Sequence, residues 1–286
     1  MIASISADVG SNLERRDDSF DIYIFTLHWP YTTCFDWKEK RHGQCARIES
    51  PSWSVHGMWP TRLGEIAPNF CNNSWSYSHQ EMLPLMSEME RFWPDVEIRD
   101  VTDSLWSHEW VKHGTCAVQD SVTGLHSQTD YFTTGLKLAA ENPLTHWLSA
   151  ANIVPSDDTV YSTQQFWDVI VSATGHRPHI DCEKVDQVAV IKEIKVCYDK
   201  SLNRVDCDGI KSSHLGLDSH MMGTCLRYSS FLYPASSSPD TSLQLSGSSS
   251  VVAVVCAVLA AAAVIIGAGY FLMKKYSSRR RGYESL

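Results

Sequence analysis

Two short stretches are the most informative about the fold and chemistry of this chain: WSHEWVKHGTC at residues 106–116 and SVHGMWP at residues 54–60. The polar residues of the first stretch that carry chemistry are His108, Glu109, Lys112 and His113. On a helix, these four would span about 140° of one face, at about 100° per residue. The second stretch adds His56 beside an aromatic side chain. A carboxylate, a cation and opposed imidazoles can move protons around a phosphate, so the pattern favours phosphodiester chemistry without a metal.

The same residues could also belong to a metal site or to the hydrophobic core. His108 and His113 lie five residues apart, which differs from the His-x-x-x-His spacing of helical zinc sites. We therefore expect neither a metal nor another cofactor. The tryptophans of the two stretches could instead be ordinary core residues with no role in the site; they are Trp59, Trp106 and Trp110.

The net charge bears on the kind of partner. The formal charge is −9, of which residues 251–286 contribute +4, so residues 1–250 carry −13. Such a charge opposes nonspecific adhesion to a polyanion at neutral pH. All twelve histidines lie in residues 1–250, and most would be charged by about pH 5, bringing that charge to roughly −1. An acidic compartment would then remove the repulsion, unless the histidines are scattered surface residues without a collective role.

Residues 251–273 form a long apolar run. None of these 23 residues is charged, and a helix of that length can cross a hydrocarbon core about 30 Å thick. Five basic residues follow in residues 274–286, which predicts a cytoplasmic tail. The sequence therefore predicts a single-pass type I membrane protein, with residues 1–250 lumenal or extracellular and a Ser-rich stalk at residues 234–250.

The cysteines and a glycosylation sequon agree with this orientation. Eight of the nine cysteines precede the apolar run, an even number suited to disulfides in an oxidising compartment. Asn72 opens the one Asn-x-Ser/Thr sequon of the chain. The N-terminal segment, residues 1–19, contains no apolar run of the kind found in signal peptides. We therefore expect the start of the chain to be truncated or wrongly assigned, because disulfides and glycosylation require translocation. The alternative is that the apolar run at residues 251–273 directs insertion by itself.

The spacing of apolar residues predicts helices in the middle of the chain and strands at both ends. The predicted strands are residues 20–30, 53–56 and 187–198, with another short strand after Asn203-Arg204. The predicted helices are residues 80–93, 105–114 ending at Gly114, 131–148 disturbed by Pro143, and 164–174 ending at Gly175. This order predicts an α+β domain over residues 20–233, with a central antiparallel sheet and packed helices.

The two stretches resemble the active-site segments of the RNase T2 family, the acid, secreted or lysosomal endoribonucleases. The run LHWP followed by Cys34, the run CNNSW and the run FWPDV fit the same family, over about residues 20–228. The roles that the resemblance implies are general base for His113, general acid for His56, transition-state stabilisers for Glu109 and Lys112, phosphate contact for His108 and base stacking for Trp59. It also implies metal-independent cleavage of single-stranded RNA through a 2′,3′-cyclic phosphate.

The resemblance also bears on the cysteines and on two departures from the family pattern. Eight cysteines alone allow 105 pairings. The family pattern implies Cys34–Cys45, Cys71–Cys116, Cys182–Cys225 and Cys197–Cys207. His28 stands where relatives usually carry Gln, and Thr61 stands where many carry Asp. Both positions lie near base-binding surfaces in the family, so the resemblance implies no base preference.

The C-terminal residues GYESL resemble the sorting tails of lysosome-associated membrane glycoproteins, in which an adaptor pocket receives a tyrosine and a bulky apolar side chain. Tyr283 and Leu286 would make that contact with a clathrin adaptor. We therefore expect a membrane-anchored acid endoribonuclease in endosomes or lysosomes, with the cell surface as the alternative location. The alternative function is a tethered RNA-binding or scavenger receptor without turnover, although binding alone would not need an opposed acid and base.

Overall fold

The computed structural model describes residues 19–48, 51–119, 124–185, 187–210 and 223–237. The predicted membrane span, the tail with Tyr283 and Leu286, and most of the N-terminal segment and stalk lie outside these residues. Among the residues described, no helix is both long and apolar enough to cross a bilayer.

Nine strands lie within the described residues. They are β1 (Ile22–His28), β2 (Gln44–Cys45), β3 (Ser54–Thr61), β4 (Glu97–Ile98), β5 (Val160–Ser162), β6 (His179–Val185), β7 (Val188–Tyr198), β8 (Arg204–Val205) and β9 (Ser230–Leu232). Seven form one sheet in the order β3-β1-β7-β9-β5, with β6 and β8 also paired to β7; β2 and β4 form a separate pair. The pairing is antiparallel, as predicted, except between β7 and β9, which run parallel at Val190 and Leu232.

Eight α-helices lie within the same residues. They are α1 (Pro30–Arg41), α2 (His79–Met82), α3 (Met86–Phe92), α4 (Ser104–Glu109), α5 (Thr115–Gln119), α6 (Gln128–Glu141), α7 (Leu144–Ala150) and α8 (Thr163–Thr174). The helix predicted over residues 131–148 is wrong as a single element: α6 and α7 separate at Asn142-Pro143, because proline lacks the backbone N–H that would continue the helix. The end of α8 at Gly175, with φ 76°, is confirmed.

The prediction for the stretch at residues 106–116 is also corrected. The chain forms α4, then a π-helical turn over Trp110–Gly114, and then α5, so Gly114 does not end the helix. The backbone N–H of Thr115 donates to the carbonyl of Trp110, five residues back. Because a π turn is wider than an α turn, the spacing of about 100° per residue does not hold across it. The wider turn suits the five-residue separation of His108 and His113.

Buried aromatic side chains hold this segment against the sheet. Trp106 and Trp110, which the sequence alone left open between core and site, are both buried. The indole N–H of Trp106 donates to the carbonyl of Trp93 at 2.7 Å, and that of Trp110 donates to the carbonyl of Trp75 at 3.0 Å. The Trp93 indole donates in turn to the carbonyl of His56 at 3.0 Å. The core therefore connects the two predicted stretches through hydrogen-bonded tryptophans.

Candidate active site

A cleft of about 900 Å³ brings together the side chains that the sequence singled out for chemistry. Its lining includes all six of them: His56, Trp59, His108, Glu109, Lys112 and His113. The first two come from β3, and the other four come from α4 and the π turn. Two segments about fifty residues apart in sequence thus meet in one cavity.

His56 lies at a bulge in β3. Thr26 of β1 pairs with Gly57 and Leu27 pairs with Val55, so His56 is an extra residue between them. A bulge turns its side chain away from the regular alternation of the strand. The Nδ1 atom of His56 lies 2.7 Å from Oε1 of Glu193, and Nε2 lies 4.0 Å from Oε1 of Glu109. The imidazole is one-third exposed, so it can still reach a substrate.

The pKa of His56 reflects these carboxylates. Burial lowers it, but the hydrogen bond and charge of Glu193, followed by the charge of Glu109, raise the pKa above its ordinary value. His56 is therefore suited to carry a proton near neutral pH.

His113 has the opposite environment. Its residue is buried, and its ring packs against Trp59 with 5.3 Å between ring centroids. Within the described part of the chain, no hydrogen-bond partner reaches its Nδ1. Burial lowers the pKa of His113 well below its ordinary value, and the charges of Lys112, His108 and His56 add to this effect. His113 is therefore suited to remain unprotonated in mild acid.

Glu109 is almost fully buried, with 1% of its side chain exposed. Burial raises its pKa to about 7, although the charge of His56 and a hydrogen bond from Trp59 oppose the rise. The Trp59 indole N–H donates to Oε2 of Glu109 at 2.7 Å. A Cβ at Gly57 would collide with both of these groups, so the glycine in SVHGMWP permits the contact between Glu109 and Trp59. Trp59 also packs against His56, with 5.1 Å between ring centroids.

His108 and Lys112 lie in the cleft beside these groups. Burial lowers the pKa of His108, and the charges of Lys112, His56 and Arg99 lower it further. The carbonyl of Lys112 accepts a hydrogen bond from the backbone N–H of Phe70 at 2.9 Å. This bond joins the π turn to the loop that follows β3.

Glu193 is the residue of the site that sequence reasoning missed. It lies on β7, whose pattern predicts a strand but does not show which of its charged side chains face the cleft. Glu193 and Lys195 are two residues apart and therefore share one face. The sequence signal that could have identified Glu193 is the presence of charged residues at alternate positions of an otherwise apolar strand.

His28 and Thr61, the two departures from the family pattern, are both buried at the cleft. The His28 ring stacks on His56 with 5.4 Å between ring centroids. Burial lowers the pKa of His28 to about 3, and the charge of His56 lowers it further. The Thr61 hydroxyl donates to the backbone carbonyl of Trp59 at 3.0 Å. Because burial lowers the pKa of His28 to about 3, the predicted charging of most histidines at about pH 5 does not extend to His28.

The structure contains the four disulfides that the resemblance implied. They are Cys34–Cys45, Cys71–Cys116, Cys182–Cys225 and Cys197–Cys207. Cys116 lies two residues after the π turn, so its bridge to Cys71 ties the segment that carries His113 to the loop after β3. In the described ranges, no group of three or more His, Cys, Asp or Glu side chains is placed to hold a metal.

Comparisons with known proteins all identify ribonucleases as similar to this chain. The sequence profile of the Ribonuclease T2 family matches residues 20–207, which contain both stretches. Ribonuclease Oy of Magallana gigas is 28% identical over 220 residues, which cover 75% of this chain and 96% of that protein. Ribonuclease T2 of Homo sapiens is 36% identical over 196 residues, which cover 67% and 72%. The crystal structure of RNase NT in complex with 5′-AMP has a TM-score of 0.60 at 26% identity, covering 76% of this chain and 98% of that one.

Proposed function

Because this chain belongs to the ribonuclease T2 family and is a T2-type endoribonuclease, we propose that it cleaves single-stranded RNA without a metal, through a 2′,3′-cyclic phosphate. One observation carries the proposal. Two imidazoles line a single cleft, and their surroundings displace their pKa values in opposite directions. Such a separation assigns the acid and the base between two titratable groups.

In the first step, neutral His113 accepts the proton of the 2′-hydroxyl, and the 2′-oxygen attacks phosphorus. The bond from phosphorus to the 5′-oxygen breaks, and protonated His56 gives its proton to that oxygen. The products are a 2′,3′-cyclic phosphate and a 5′-hydroxyl. In the second step the roles reverse: His56 takes a proton from water, the water oxygen attacks phosphorus, and His113 protonates the departing 2′-oxygen. The final product is a 3′-phosphate.

The other residues of the cleft stabilise charge on the phosphate. Lys112 supplies a cation and His108 a ring N–H for the non-bridging oxygens. Burial raises the pKa of Glu109 to about 7, so its carboxyl can take up a proton as the pH falls below that value and then donate a hydrogen bond to phosphate. The Trp59 indole fixes the orientation of that carboxyl through the other oxygen. Stacking of Trp59 on a base belongs to the same proposal.

We expect RNA cleavage in EDTA with a bell-shaped dependence of kcat/KM on pH. The rate falls in acid as His113 gains a proton, and it falls in alkali as His56 loses one. Because the pKa of His113 lies below about 6.5 and that of His56 above it, the active window extends into acid. The measurement is digestion of the four homopolymers from pH 4 to 8, with cyclic phosphate followed by ³¹P NMR. A metal requirement, or equal cleavage of DNA, would contradict the proposal.

We further propose a type I membrane anchor at residues 251–273, a glycan on Asn72 and delivery to an acidic endosome or lysosome. The apolar run, the basic tail and the sequon support this placement. In the structure, Oδ1 of Asn72 accepts hydrogen bonds from the Ser74 backbone N–H at 3.0 Å and the Ser74 hydroxyl at 2.6 Å.

Sorting by the tail can be tested with a matched pair of variants. Tyr283→Ala is expected to shift the protein from lysosomes to the cell surface, because the adaptor contact loses its aromatic side chain. Tyr276→Ala is the control, since Tyr276 is followed three residues later by Arg279 and lacks the apolar partner. The measurement is surface biotinylation with lysosomal imaging. Equal distribution of both variants and the parent would contradict sorting through Tyr283.

A further inference from the structure

We propose that Glu193 is a positioning residue for His56, and that Lys195 and Asp181 hold its carboxylate beneath the cleft. The inference rests on the proposed role of His56 as general acid. It concerns a carboxylate on β7 that belongs to neither of the two stretches, 137 residues from His56 in sequence.

The contact of Glu193 with His56 determines which nitrogen faces the substrate. The Nδ1 atom lies 2.7 Å from Oε1 of Glu193. An ionised carboxylate only accepts hydrogen bonds, so Nδ1 must carry a proton in both charge states of the ring. The proton that His56 transfers is therefore the one on Nε2, which lies on the side of Glu109. Glu193 thus selects the tautomer and stabilises the imidazolium, as an orienting carboxylate does for a catalytic histidine.

A row of charged side chains on one face of the sheet holds Glu193 in place. Antiparallel pairing sets Glu193 opposite Asp181 of β6, and sets Lys195 opposite His179. The Lys195 ammonium forms an ion pair with Asp181 and lies 3.6 Å from Oε2 of Glu193. Asp181 also lies 3.2 Å from Nε2 of His179 and accepts the backbone N–H of Thr224 at 3.0 Å. A buried carboxylate needs such partners to remain ionised.

The groups around His56 come from four elements. β1 contributes His28, α4 contributes His108 and Glu109, the π turn contributes Lys112 and His113, and β7 contributes Lys192, Glu193 and Lys195. Glu193 itself pairs with His28 across the antiparallel strands β7 and β1. Burial raises the pKa of Glu193, but the hydrogen bond and charge of His56 and the charge of Lys195 outweigh it and lower the pKa to about 2. The carboxylate is therefore charged throughout the active window.

The test is Glu193→Gln in the full chain, with kcat/KM measured against pH. The amide keeps the shape of the side chain and can accept from Nδ1, but it carries no charge. We expect the alkaline limb to move to lower pH by about one unit or more, while the acid limb, set by His113, stays in place. The control is Glu141→Gln, since Glu141 lies at the end of α6, 3.9 Å from Lys137, and is not among the residues that line the cleft. It should leave both limbs unchanged.

A second readout does not depend on catalysis. In ¹⁵N-histidine NMR of the parent chain, with the His56 signal assigned from its loss in His56→Ala, neutral His56 should carry its proton on Nδ1. The pKa of His56 should fall in Glu193→Gln. A neutral ring protonated on Nε2, or an unchanged titration, would overturn the proposal. If the titration moves but the alkaline limb does not, Glu193 positions His56 as inferred, and the proposed acid role of His56 fails instead.

Discussion

His56→Ala and His113→Ala are each expected to lower kcat/KM for RNA by about 10²–10⁴-fold, the usual contribution of a general acid or base. The reason is that each variant removes one of the two proton transfers that the reaction needs. The double variant should lose little more than the worse single variant, because residues that act as a unit have non-additive effects. The measurement is steady-state cleavage of a homopolymer at the pH optimum of the parent.

His146→Ala is the matched control for these variants. His146 is exposed on α7 and lies outside the residues that line the cleft, so its loss should leave kcat/KM unchanged. RNA binding by the His56 and His113 variants, measured by fluorescence anisotropy, should persist because the cleft and its cations remain. Parent-level cleavage by either active-site variant would refute the assigned roles. A parent that binds RNA without turnover would instead support the receptor hypothesis.

Removal of the Cys71–Cys116 disulfide should lower the stability of the fold strongly. The bridge closes a loop of 45 residues, and the chain-entropy relation assigns such a loop about 4 kcal/mol of unfolding free energy. Cys71→Ala/Cys116→Ala should therefore lower the midpoint of denaturant unfolding markedly. Its kcat/KM should fall as well, because Cys116 follows the π turn and Cys71 follows Phe70, whose N–H donates to Lys112.

The comparison variant is Cys34→Ala/Cys45→Ala. That bridge closes only 11 residues, for which the same relation gives about 3 kcal/mol. Neither of its cysteines adjoins either stretch of the site, so its loss should lower stability while leaving kcat/KM of the folded protein near the parent value. Equal loss of activity in both pairs, measured at a temperature where both are folded, would contradict a local role of Cys71–Cys116 in holding the π turn.

Local sequence correctly predicted those helices and strands whose ends or patterns depend on a single strong residue preference. Gly175 ends α8 because glycine adopts positive φ without a steric penalty. The pattern over residues 187–198 predicted a strand, and β7 occupies Val188–Tyr198. Pro143 signalled a disturbance, but the chain breaks into two helices there instead of continuing. The π turn at Trp110–Gly114 has no local signature of this kind. The tryptophans beside it, Trp106 and Trp110, donate hydrogen bonds to the carbonyls of Trp93 and Trp75 in other segments of the chain.

Sequence alone determined the kinds of side chain in the site, since the two stretches contain the histidines, carboxylate and ammonium within a few positions of one another. It also determined that cysteines in even number precede the apolar run. Only the tertiary structure determined which of those groups is suited to act as acid and which as base. Strand register brings Glu193 to His56, while burial against Trp59 isolates His113. The physical reason is that a pKa depends on desolvation and on charges within a few ångströms, and only folding determines which residues from distant strands become those neighbours.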